Sequence, residues 1–122
     1  MPDVSKLANS MSGRPLRNEE QELVRYLLSS VFAETALENT LVNSRVTDMQ
    51  DGSMGSIRFV HAEPRTMGKV LVEAQCVDGD GVLVSIAVNG DQNGQLFEMD
   101  FWKVDFSPLK RYPKPGNVVV KR

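Results

Sequence analysis

The 122 residues carry 14 Lys and Arg against 16 Asp and Glu, a net charge of −2, with 41% apolar and 25% charged residues. That length suits one domain, and that composition excludes wholesale disorder. It also leaves no excess of cations to neutralise phosphates, so nucleic acid is not an expected partner.

Residues 1–13 are rich in Ser, Asn, Gly and Met and short of periodicity, and read as a flexible N-terminal arm with at most a helical turn around Val4 to Ala8. RPLRNEEQELVRYLLSSVFAE then predicts a helix. Asn18 can cap it with Gln21 three residues on, and Glu19, Glu20 and Glu22 sit at the positive end of its dipole. Leu23, Val24, Leu27, Leu28 and Val31 recur at helical spacing and need a surface to lie on.

Downstream the period becomes two. LVNSRVTDM, with Val42 and Val46, and IRFVHA, with Ile57 and Phe59, predict a hairpin turned by DGSMGS, in which Asp51, Gly52 and Gly55 are structural. KVLVEAQCV and VLVSIAVN follow, joined by DGDG, and GDQNG leads into QLFEMDFWKVDF. The expected fold is α+β: an N-terminal helix packed on a twisted antiparallel sheet of about five strands in a meander, forming one domain over residues 14–113. In the last strand Phe97, Met99 and Phe101 are expected on the core face, with Glu98, Asp100 and Trp102 on the other. Pro108, Pro113 and Pro115 cannot continue an internal strand, so the chain leaves the sheet there. Asp105 and Ser107 are expected to accept turn amides, and Phe106 and Leu109 to tuck the exit segment back onto the core. Residues 114–122 read as a C-terminal tail or an edge strand, with the tail preferred.

No catalytic or metal-binding constellation emerges, and no cofactor is expected. Counting Asp78 as the first position of a calcium loop puts Asn89 at the twelfth and Val82 at a ligand position, so DGDG is turn chemistry. His61 is the only histidine, and a dyad with Cys76 lacks a third, orienting group. DGSMGS does not match a phosphate loop. Glu98 and Asp100 share a strand face, which suits a solvated or partner-binding surface better than a catalytic pair. Glu98, Asp100, Trp102 and Asp105 are therefore the candidate partner-binding residues, while Phe106, Ser107 and Pro108 form a structural turn. No apolar run approaches the roughly 18 residues that span a bilayer. The start lacks an apolar leader, and a lone cysteine suits a reducing compartment, so a cytoplasmic location without membrane partners is expected.

Together, DGSMGSIRFV, DGDGVLVSIAVN and LFEMDFWKVDFSPLKRYP resemble a family of small uncharacterised bacterial domains, with a WKVDFSPL-like segment as its most recognisable feature. The resemblance covers most of residues 14–113 and implies no activity and no functional residue. By analogy of architecture, small acidic α+β proteins encoded beside polymorphic toxins act as their immunity proteins. The expectation is a non-enzymatic protein-binding domain, in its sharpest form an immunity protein facing a basic toxin domain. The alternatives are a self-associating module, giving a homodimer through the Trp102 strand or NVVVKR, and a small enzyme or ligand-binding domain using Glu98, Asp100 and Asp105.

Overall fold

Helix α1 spans Asn18–Leu28 in the computed structural model, which describes residues 13–121. The arm expected over residues 1–13 lies outside the described residues, Gly13 excepted. The cap of α1 is one residue earlier than expected. Arg17 takes the N-cap position, and its amide donates to Glu20 Oε1 at 2.7 Å, so Glu20 and not Gln21 reaches back to cap the helix, while the Arg17 guanidinium, a donor only, caps no helix amide. The reason is electrostatic: Arg14 grips both oxygens of the buried Glu20 carboxylate, at 2.8 and 2.9 Å, and spans to Asp48 on the sheet. Leu23, Val24, Leu27 and Leu28 are buried as the stripe requires, whereas Val31 lies past the helix end and is 42% exposed.

A second helix, α2 (Glu34–Asn43), occupies the stretch in which a strand through Val42 was expected. Only Leu37 and Leu41, one turn apart, face the core, and Val42 is 77% exposed. Two apolar positions are too short a stripe to announce a helix against β-branched neighbours.

Among the described residues the strands are β1 (Arg14–Pro15), β2 (Arg45–Asp48), β3 (Ile57–Phe59), β4 (Met67–Val77), β5 (Leu83–Asp91), β6 (Leu96–Lys103) and β7 (Val119–Val120). They form one open antiparallel sheet of seven strands, more than the five expected, in the order β1-β2-β3-β6-β5-β4-β7. The expected meander is broken after β3, which pairs with β6 through Ile57↔Met99 and Arg58↔Glu98 rather than with β4. The chain crosses to the far side of the sheet and returns through two hairpins. Of the two readings of the C-terminus, the edge strand forms: Val119 and Val120 pair with Gln75 and Ala74 of β4, and Val118 is buried.

A β-bulge in β6 corrects the facing of one residue. Asn89 pairs with Glu98, but the next residue of β5, Gly90, pairs with Leu96, so Phe97 is the extra residue. Leu96, Met99 and Phe101 therefore join the core with the α1 leucines, Leu37, Leu41, Ile57, Ile86 and Val88. Phe97 lies instead under the Arg58 guanidinium, 5.0 Å from its ring centroid.

Candidate functional site

The C-terminal end of β6 carries two unlike features on its two faces. On the core face Lys103 is 0% exposed, because three acceptors converge on its ammonium: Asp78 Oδ2 at 2.8 Å, Asp80 Oδ2 at 2.6 Å and the Pro108 carbonyl at 3.1 Å. Asp78 is buried as well, and its carboxylate also accepts the amides of Gly79 at 2.6 Å, Lys110 at 2.7 Å and Arg111 at 3.0 Å. Burial by itself would raise the Asp78 carboxyl, but Lys103 and these amides together hold it down, at about 2. Burial likewise works against the Lys103 charge, and the two aspartates outweigh it and hold its ionisation above the usual lysine range. The DGDG turn is thus clamped to the segment that leaves the sheet. Sequence reading missed this, although Lys103 shares strand parity with Met99 and Phe101 and so had to face inward.

The exit segment is built around the clamp. Asp105 Oδ1 accepts the Ser107 amide at 3.0 Å and its hydroxyl at 2.7 Å, and Pro108 supplies the carbonyl that Lys103 needs. The Leu109 amide donates to the Ser53 carbonyl at 3.1 Å, joining this segment to the loop between β2 and β3. In that loop Asp51 accepts the amides of Met54 at 3.1 Å and Ser56 at 3.0 Å. Gly52 and Gly55 take positive φ of 77° and 103°, a conformation that suits glycine. Phe106 also has positive φ, at 62°, where a bulky L-residue is strained.

On the opposite face the four expected partner residues divide. Glu98 is buried, receiving Arg58 Nη2 at 2.9 Å and Asn89 Nδ2 at 3.0 Å. Asp100 is half-buried and accepts the Ser56 hydroxyl at 3.1 Å; burial raises its carboxyl, and the nearby Glu98 and Asp51 add to that. Asp105 is exposed, and Trp102 is 56% exposed. The Trp102 ring leans on Phe106, itself 68% exposed, at 6.1 Å between centroids and a 39° tilt. Register carries a row across the sheet from Trp102 to Ser85, Gln75 and Val119, and the exposed pair Val77 and Leu83 runs beside it. This end of the helix-free face is therefore a shallow strip in which Ser85 and Gln75 lie among the apolar Val77, Leu83 and Val119, with Arg111 at one end and two aromatics at the other.

Cys76 and His61 are not brought together. Cys76 pairs with Val84, which pairs with Lys103 at one end of β6, whereas His61 Nε2 bonds the Leu96 carbonyl at the other, 3.0 Å away. Burial raises the Cys76 thiol, with Asp78 adding to the effect. Among the described residues there is no group of three or more His, Cys, Asp or Glu side chains placed to hold a metal. No helix of the described residues is long and apolar enough to cross a membrane.

The result is an α+β domain: an open antiparallel sheet with helices packed on one face and an exposed aromatic pair on the other. Residues 13–113 match the model of a family described as a domain of unknown function, DUF6984, and the chain belongs to that family. Searches of curated proteins and of solved structures find no match.

Proposed function

We propose that this chain is a non-enzymatic protein-binding domain that docks a basic protein on the helix-free face of its sheet, around Trp102 and Phe106. One observation carries the reading. Phe106 is held in the left-handed region, which costs a bulky residue roughly 1–2 kcal/mol, and the strained residue presents its ring to solvent beside the only tryptophan of the chain. Strain kept to display two aromatics is understandable when they fill a partner's pocket, since tryptophan is enriched at binding hot spots.

Charge supports a basic partner. Asp100, Asp105 and Glu73 border the strip; of the cations around it Arg58 is engaged with Glu98 and Lys103 lies inside the clamp, while Arg111 and Lys121 are exposed toward the β4–β7 side. A carboxylate rim steers a cationic partner and orients it on the face. In its sharpest form the domain is a cytoplasmic immunity protein that neutralises a basic bacterial toxin domain.

The reading is tested by affinity capture from source-cell lysate, using the wild type and the Trp102→Ala/Phe106→Gly double variant as parallel baits at low and high salt. A basic protein retained in stoichiometric amount by the wild type, released by salt and absent from the variant is the expected result. Equal capture by both baits would overturn the assignment of the face. Recovery of the bait alone as an oligomer would replace the foreign partner with a second copy; β1 and β7 offer edges of two residues each, so such a dimer would also use the face.

A further inference from the structure

We infer that the cleft between α2 and the β5–β6 turn binds a small uncharged heterocycle of the nucleobase class. This cleft is open to solvent and has a volume of about 470 Å³, within the range of small-ligand sites and similar to three other surface clefts of about 450–510 Å³, from which its lining distinguishes it. Its apolar wall is made by Phe32, Phe59 and Leu96, and its polar groups are His61 and the side-chain amides of Asn43 and Gln95, among others. No charged side chain lines it among the described residues. Clefts elsewhere on the surface differ in this respect, carrying Arg17 with Asp48 and Asp51, or Glu73 with Lys121.

The polarity of the three polar groups is set by bonds they already make. His61 Nε2 faces the Leu96 carbonyl at 3.0 Å; a carbonyl only accepts, so Nε2 carries a hydrogen, and in that tautomer of imidazole Nδ1 is the acceptor. Asn43 Nδ2 donates to the Asn39 carbonyl at 2.9 Å, which leaves Oδ1 to accept. Gln95 Oε1 accepts from Arg65, which leaves Nε2 to donate. Arg65 is anchored in turn by Asp91, a buried carboxylate that also takes the amides of Asn93 at 2.7 Å and Gln95 at 3.0 Å. Two acceptors and one donor therefore stand ready beside an apolar wall.

An ion gains no counter-charge in such a cleft, and a hydrocarbon would leave the polar groups without partners. A neutral ring with donors and acceptors along one edge meets both conditions. Carboxamides pair with nucleobase edges in this way, and aromatic side chains accept their faces.

The test is a titration of the ¹⁵N-labelled full chain with adenosine, guanosine, cytidine and uridine at millimolar concentration, with glucose as a neutral non-aromatic control. Saturable shifts of the Asn43 and Gln95 side-chain amides and the Gly94 backbone amide with at least one nucleoside are expected. Affinity should fall roughly tenfold in Asn43→Leu, an exposed position in the last turn of α2 that the fold does not need. Absence of saturable shifts with all four nucleosides overturns the inference. So do shifts confined to residues around Trp102, which mark stacking on the exposed indole, and equal saturation of the cleft by glucose.

Discussion

Trp102 and Lys103 are adjacent in β6 and invert the usual partition, with the charged residue buried and the aromatic one in solvent. The lysine is accounted for inside the chain, because Asp78, Asp80 and the Pro108 carbonyl replace the water it has lost. The tryptophan has no such account: Phe106, its neighbour, is more exposed than Trp102 itself and is held at positive φ. One exception to the hydrophobic pattern thus explains how the C-terminal segment is fastened, and the other directs attention outside the molecule. Both lie in WKVDFSPL, which is at once clamp and display.

The clamp half of the comparison carries the largest expected effect. Asp78→Ala leaves Lys103 with one carboxylate and strips three backbone amides of their acceptor, and should cost roughly 3–5 kcal/mol in urea unfolding. The display half is next. Trp102→Ala/Phe106→Gly should weaken partner binding by about 2 kcal/mol or more, roughly thirtyfold, in titration calorimetry.

Acid should act on the clamp and spare the display. The Asp78 carboxyl titrates at about 2 in the folded protein, below its ordinary value in the unfolded chain. Its contribution, about 2 kcal/mol, is therefore complete above roughly pH 5 and is lost as pH falls toward 2, which unfolding midpoints across that window will show. The smallest effects separate stability from function most cleanly. Phe106→Gly relieves the positive-φ strain and should raise stability by about 1 kcal/mol, and Trp102→Ala should change it by no more than about 0.5 kcal/mol.

How much of this was legible in the sequence follows from how local each feature is. Helix α1 carried a stripe of four buried residues within a few positions, and the turns carried their own Asp and Gly chemistry, so both could be read. Helix α2 could not, with only Leu37 and Leu41 to mark it. The β3–β6 pairing joins residues some forty positions apart, and no local pattern encodes it. Phe97 was misplaced for the same reason, since one extra residue against β5 reverses every facing beyond it. Within the candidate site, the outward facing of Trp102 follows from strand alternation alone. The withdrawal of Glu98 and Asp100 depends on Arg58, Asn89 and Ser56, which only the folded sheet brings near.

Trp102 is the only tryptophan, so its emission reports directly on the central claim that this face meets a partner. The free chain should show a solvent-like emission maximum that acrylamide quenches readily. Addition of the captured basic protein to the purified chain should shift that maximum to shorter wavelength and protect it from acrylamide, with saturation at one partner per chain. Stoichiometric binding that leaves both the emission and its quenching unchanged would contradict the account, because the partner would then be docking elsewhere.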